Sequence, residues 1–307
     1  MKFTGETLRI AWRNRKFKVG IFIVLFFVVF AIVGPYLTPF DNLGYYPVKF
    51  GNKIAPKPSL PALKPGEIGE IYTPDGVVKV KHYLGTDSFG RDIFAQLVYG
   101  LRSSLFIGLF AGGLATIIGL LMGFIAGYKG GWIDELLMMI TNIMLVIPTM
   151  ALLIIIAAYL PYRGVGIESV IIGLTAWPWT ARAVRAQTLS LKRREFVDLA
   201  KLAGLSDFKI IFEEIMPNMI SYIFMVFILQ FGGAILAAVG LDFIGLGPTR
   251  GMSLGIMLQQ AVLWNAINLG YWWWAIPPGL VIAILITGLY LINTGLDEVF
   301  NPRLRGE

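Results

Sequence analysis

Ser104–Tyr128 reads SLFIGLFAGGLATIIGLLMGFIAGY, a run without a charged side chain. A helix rises about 1.5 Å per residue, so about 20 apolar residues cross a hydrocarbon core ~30 Å thick. Lipid offers backbone amides and carbonyls no partner, so such a run must satisfy its own polar groups as a helix. This stretch therefore predicts a transmembrane helix. Five others flank it: Val19–Leu37, Leu136–Leu160 with Pro148 inside and expected to kink it, the short Gly166–Ala181 with Pro178 near its end, Met219–Val239 and Trp274–Leu291. The expected fold is an all-α integral membrane protein with six transmembrane helices. Residues 21–33 are followed by Pro35 and Tyr36 rather than by a small-residue cleavage site, so the first span is expected to stay uncleaved.

Composition agrees. Hydrophobic residues make up 56% of the 307 and charged residues 15%, against about 25% charged in soluble domains. The net charge of +7 fits basic cytoplasmic loops, and no basic patch interleaved with aromatics points to nucleic acid. The absence of cysteine excludes disulfides, thiolate catalysis and cysteine-ligated metals.

The segments between spans set the orientation. Residues 1–18 carry six Lys and Arg and residues 182–218 carry seven, which places both on the cytoplasmic side, with both termini. The arm 1–18 is expected to form an interfacial helix. Residues 38–103 are then a long extracytoplasmic loop, rich in Pro and Gly, with one strand expected at 77–83. Residues 240–273 read as a second outer connection, rich in Gly and aromatic residues. The chain divides into 1–103 (arm, first helix, outer loop), 104–293 (a five-helix core containing the loop 182–218) and the tail 294–307.

Residues 182–218 are too amphipathic for a passive loop. Residues 194–203 read as a short helix that Gly204 ends, Ser206 caps a second with Asp207 in its first turn, and Pro217 is expected to stop that helix and start the fifth span. Ala200, Ala203 and Gly204 suggest a small-residue surface. Phe196, Leu199, Leu202, Phe208, Ile211 and Phe212 require cover from a partner, the membrane surface or the bundle itself.

The pattern here resembles the cytoplasmic EAA loop of permeases in binding-protein-dependent ABC importers, E-A-A-x3-G-x9-I-x-L-P. The matching residues are Asp198-Leu199-Ala200, Gly204 and Glu214-Ile215-Met216-Pro217, with Asp198 for Glu, Leu199 for Ala and Glu214 for Ile. The run Gly85-Thr86-Asp87-Ser88-Phe89-Gly90-Arg91-Asp92 resembles the G-T-D-x-x-G-R-D signature of the dipeptide/oligopeptide "C" permeases, as do Gly130-Gly131-Trp132, Ala181-Arg182, Gly232-Gly233-Ala234, Phe243–Gly247 and Asn301–Arg305. The likeness covers residues 10–305.

The resemblance implies a permease in the cytoplasmic (inner) membrane, paired with a second homologous permease. Two cytoplasmic subunits would bind ATP and Mg, and an extracytoplasmic solute-binding protein would deliver an oligopeptide or dipeptide, or in some relatives an oligosaccharide or nickel. It implies a docking surface for the ATPase at Glu195, Asp198, Leu199, Ala200, Ala203, Gly204, Leu205 and Pro217. The chain has no phosphate loop of its own, so no cofactor and no enzymatic activity are expected of it.

In the outer signature, Gly85 and Gly90 permit tight turns and Asp87 or Asp92 can cap the second span, with contact to a binding protein as the other reading. His82, without a His or Cys companion, reads as a surface residue. Trp272-Trp273-Trp274 reads as an interfacial belt, with sugar stacking as the alternative, and Pro277-Pro278 as a bend. Thr141, Asn142, Thr149 and Gln230 are the polar candidates for a solute path. A secondary transporter or channel would place ionisable residues at mid-span, and Glu168 and Asp242 lie only near span ends. A membrane-embedded enzyme would need a nucleophile and base, or a metal set, and none is available.

Overall fold

The computed structural model describes residues 11–47, 49–50, 53–54, 62–73 and 76–300. The terminal Asn301–Arg305 motif and most of the basic arm lie outside them. Among the described residues four helices are long and apolar enough to cross a membrane: α1 (Arg15–Val33, extended by a 3-10 turn to Leu37), α2 (Ile93–Lys129), α7 (Asp207–Phe243) and α9 (Trp272–Phe300).

The expected third span is not one kinked helix. It is α3 (Gly131–Val146) and α4 (Thr149–Tyr159), bent by 81° at Ile147-Pro148. The residue before a proline is pushed out of the helical region, and both Ile147 and Pro148 are extended. The expected fourth span continues without interruption into the charged segment as α5 (Val165–Lys192), with Pro178 inside. Thus 182–192 is the end of that helix rather than a separate element. Among the described residues there are also two short helices, α6 (Glu195–Leu202) and α8 (Leu254–Leu263). The second lies in the Gly- and aromatic-rich connection 240–273, where Ser253 caps it by accepting from the Ile256 amide.

The segment between α1 and α2 holds two hairpins, β1 (Lys49–Phe50) with β2 (Lys53–Ile54), and β3 (Ile68–Thr73) with β4 (Gly76–Lys81). The strand expected at 77–83 is β4. Its partner β3, in the register Ile68↔Lys81 to Thr73↔Gly76, escaped the reading.

Helix α2 is the axis of the bundle. Gly119, Gly123 and Gly127 recur every fourth residue on one face of it, and α5 presses directly on them. A Cβ at Gly119 would lie 2.5 Å from Thr180 Cβ, one at Gly123 2.7 Å from the Ala181 carbonyl oxygen, and one at Gly127 2.7 Å from Thr188 Cβ. On another face Gly112 brings the α7 backbone so close that its Cβ would sit 2.8 Å from Phe231 Cα. Small residues let helices approach where lipid gives no hydrophobic drive to associate. Close approach maximises dispersion contacts instead.

Helix α1 runs antiparallel to α9. Gly20 meets the Gly288 carbonyl, and Asn14 and Lys16 both bond to Glu298. The start of α1 and the end of α9 therefore share one face of the bundle. The carboxy-terminal end of α2 lies on that face too, because its amino-terminal end packs at Val98 against Gly34, beyond the far end of α1.

Candidate functional site: an exposed hairpin and a buried knot

The hairpin formed by α6 and the start of α7 sits beside the carboxy-terminal end of α2. Helix α6 ends as its sequence demands. Gly204 is left-handed (φ +76°), its amide bonds to the Lys201 carbonyl at 3.0 Å, and the Leu205 amide reaches back to Ala200 at 3.1 Å. These bonds satisfy carbonyls that the helix end would leave orphaned. Ser206 then caps α7, accepting from the Lys209 amide at 3.5 Å, with Asp207 in the first turn as expected.

Pro217 does not stop this helix. The chain stays helical from Asp207 to Phe243, with a π-helical turn over Ile210–Ile215 immediately before the proline. Proline donates nothing and its ring collides with the carbonyl four residues back. Widening the preceding turn relieves that clash. Within it the Met216 amide bonds to Ile211, and Asn218 Nδ2 caps the Glu214 carbonyl at 2.7 Å.

The hairpin has a rigid base. Val197, Ala200, Ile210, Ile211 and Ile215 are buried against Phe124, Tyr128 and Val184 of α2 and α5. Lys129 pairs with Asp207, and Lys192 lies 5.5 Å above the Tyr128 ring. Arg185 holds Asp134 at the start of α3 with two bonds of 2.5 Å, and these keep the guanidinium pKa above its ordinary value.

The expected docking residues divide accordingly. Glu195, Asp198, Leu199, Ala203 and Gly204 are exposed, Leu205 and Pro217 are half-buried, and Ala200 points inward. The small-residue surface is thus Ala203 and Gly204 alone. Of the apolar residues that required cover, Ile211 is buried and Phe196 and Phe212 are half-buried, packed on the base. Leu199, Leu202 and Phe208 remain uncovered, at 65%, 85% and 69% exposure.

The outer signature forms a buried knot on the opposite face. Asp87 Oδ1 accepts from the amides of Phe89 and Arg91 at 2.8 and 2.9 Å, and its Oδ2 accepts from Arg91 Nε at 2.6 Å and Gln96 Nε2 at 3.0 Å. Arg91 Nη2 crosses to Gln260 of α8 at 2.7 Å. Asp92 caps α2, as one of the two expected candidates, by accepting from the Ala95 amide at 2.7 Å. Its other oxygen lies 2.7 Å from His82 Nδ1. Gly85 and Gly90 are left-handed, and a Cβ at Gly85 would lie 2.4 Å from the Leu63 carbonyl oxygen. Thr86 accepts from the Leu63 amide through its hydroxyl and from Trp273 Nε1 through its carbonyl.

Two expectations are corrected here. His82 is 2% exposed, not a surface residue, because Asp92 and the Phe40 ring, 5.0 Å away, give it partners. Trp273 and Trp274 are buried inside the knot's cluster, and Trp272 alone is exposed, so the triplet is not a belt.

The polar path candidates are spread over three helices. Gln230 is buried and bonds to the Ala176 carbonyl and the Thr180 hydroxyl of α5 at 2.9 and 2.6 Å. Thr141 bonds within its own helix, Asn142 accepts from Arg182, and Thr149 opens α4 exposed. The reading missed a pairing that only the fold creates. Glu168 and Asp242 are both buried, the Glu168 carboxyl lies against Asp242, and Ser253 donates to Asp242. Among the described residues no group of three or more His, Cys, Asp or Glu is placed to hold a metal.

A glycine-packed bundle of long apolar helices, with a rigid amphipathic hairpin on one face and a loop knot on the other, has the build of an integral membrane protein. Comparison with known proteins identifies it: residues 119–306 match the family described as the binding-protein-dependent transport system inner membrane component, and the chain belongs to that family. Residues 2–55 match the N-terminal transmembrane domain of oligopeptide transport permease C. The chain is 34% identical over 296 residues to the dipeptide transport system permease protein DppC of Alkalihalophilus pseudofirmus, covering 95% of this chain and 88% of that one. It is 30% identical over 308 residues to DppC of Bacillus subtilis, covering 99% and 87%. With the oligopeptide transport system permease protein OppC of Lactococcus lactis it shares 33% over 223 residues, 72% and 76% of the two chains. The fold is like that of a chain of the MetNI methionine ABC transporter in an inward-facing form, at TM-score 0.50 and 20% identity, covering 66% of this chain and 94% of that one. The chain is accordingly a permease component and not itself an ATPase.

Proposed function

We propose that this chain is one of two homologous permease subunits of an ABC importer that carries dipeptides or oligopeptides inward, driven by two cytoplasmic subunits that bind ATP and Mg and supplied by an extracytoplasmic binding protein. It crosses the membrane six times, by α1, α2, the bent pair α3–α4, the first half of α5, α7 and α9. Both termini are cytoplasmic. The substrate class rests on the peptide permeases named above. The mechanism rests on one observation: Leu199, Leu202 and Phe208 stand exposed beside the left-handed Gly204, on a hairpin whose other face is fixed to α2 and α5.

A rigid base and an apolar tip are what a force-transmitting contact needs. The tip enters a groove of the ATPase, and closure of the ATPase pair moves α5 and α7 together through the buried base. Glu195, Asp198, Leu199, Ala203 and Gly204 meet the ATPase, while Ala200, Leu205 and Pro217 hold the tip's shape. Thr141, Asn142, Thr149 and Gln230 line the solute path or brace its walls.

The test is uptake by proteoliposomes holding the whole complex, loaded with ATP and supplied with the binding protein. Labelled di- and oligopeptides are expected to accumulate only with ATP. Accumulation of oligosaccharides and not of peptides would overturn the substrate class, and uptake without ATP would overturn the importer itself.

A further inference from the structure

Two apolar hollows of about 730 and 370 Å³ lie between α1 and α7 over a floor of α2, and both are lined by Ile21, Phe224 and Phe227. They form one crevice along the flank of the bundle. It begins at Trp12 on the hairpin face and ends at Arg102 on the knot face. The single hydroxyl in the larger hollow, that of Thr116, is turned to the Gly112 carbonyl of its own helix, so the wall there offers a ligand no polar contact. Gly113 keeps the floor low, since a Cβ there meets only Phe227, at 4.0 Å.

Arg102 stands at the mouth of the crevice, exposed, with no hydrogen-bond or ion-pair partner among the described residues. An arginine at the edge of a hydrocarbon layer keeps its head in the interface, where its fork of donors matches phosphate oxygens.

Charge decides what fills the space. An apolar wall that ends at one exposed arginine, unpaired among the described residues, matches a ligand that has a hydrocarbon chain and an anionic head. We propose that the crevice binds a phospholipid, its phosphate on Arg102 and an acyl chain wedged between α1 and α7. A bound lipid there would hold α1 on the bundle by filling space that the protein leaves open.

The test is native mass spectrometry of the whole importer after washing in lipid-free detergent. The wild type is expected to retain phospholipid. Arg102→Gln should lower retention about 10-fold, as befits loss of a charge-assisted bond, and Arg102→Lys should keep most of it. Gly113→Phe, which fills the floor, should abolish retention while leaving the permease pair assembled. A wild type without phospholipid, or retention in Arg102→Gln and Gly113→Phe equal to that of the wild type, would overturn the proposal. So would release of the second permease by Gly113→Phe with lipid retention unchanged, which would make the crevice a subunit interface.

Discussion

At Gly204 the backbone, not the space around it, sets the requirement. Its φ of +76° is left-handed, and a Cβ there meets nothing within 4 Å. A β-branched residue in that conformation costs about 1–2 kcal/mol, whereas asparagine visits it readily. Gly204→Asn should therefore preserve the stability of the purified complex, while Gly204→Val lowers its melting temperature. Gly204→Trp should let ATP hydrolysis run without peptide uptake, because the extra bulk meets the ATPase rather than this chain; full uptake by that variant would remove Gly204 from the docking surface. Arg91 presents the opposite case. Its fork spans buried Asp87 and Gln260, so Arg91→Ala leaves a buried carboxylate uncompensated at a cost of roughly 3–5 kcal/mol. Arg91→Lys, which cannot bridge both, should rescue only part of the loss in thermal melting or yield of the assembled complex.

Between elements, the controlling feature is the glycine row Gly119, Gly123, Gly127 on α2. At Gly123 a Cβ would press on the Ala181 carbonyl oxygen, a backbone atom that cannot swing away. Gly123→Leu should separate α2 from α5 at an overpacking cost of about 1–3 kcal/mol or more, read as a lower melting temperature. Gly233→Ala, in open space on α7, should leave stability unchanged or raise it by up to about 1 kcal/mol through helix propensity; an equal fall in both variants would refute the packing account.

The elements also show what the sequence made legible. Apolar runs located the spans of α1, α2, α7 and α9, because hydropathy reports the solvent that each segment meets. They misjudged the ends. α2 begins at Ile93, eleven residues ahead of its apolar run, because a buried cap at Asp92 extends it. α5 runs past Ala181 because charged residues can continue a helix beyond the membrane. Pro217 read as a stop because a compensating π-turn leaves no compositional trace. The cap at Ser253, by contrast, was there to be read, with Leu254, Met257, Leu258 and Ala261 following at helical spacing.

Across the whole molecule, the two motifs that carried the family resemblance sit on opposite faces of one bundle. The G-T-D-x-x-G-R-D signature is an internal fastening that joins the loop, α2, α8 and Trp273, whereas the hairpin leaves Leu199, Leu202 and Phe208 exposed. Sequence spacing located both but could not separate these roles, since burial is set by contacts such as Arg91 to Gln260 and His82 to Asp92 that span the fold. For the same reason Glu168 and Asp242 looked peripheral, although the fold buries them together.

The central claim is that the exposed tip of the hairpin meets the ATPase. The chain contains no cysteine, so a single introduced thiol reports one position. Leu202→Cys and Leu263→Cys, exposed on the hairpin and at the end of α8, should each be labelled with a thiol-reactive photo-crosslinker in the assembled importer. The account predicts a covalent adduct with the ATP-binding subunit from Leu202→Cys and none from Leu263→Cys. An adduct from the second and not the first would contradict it.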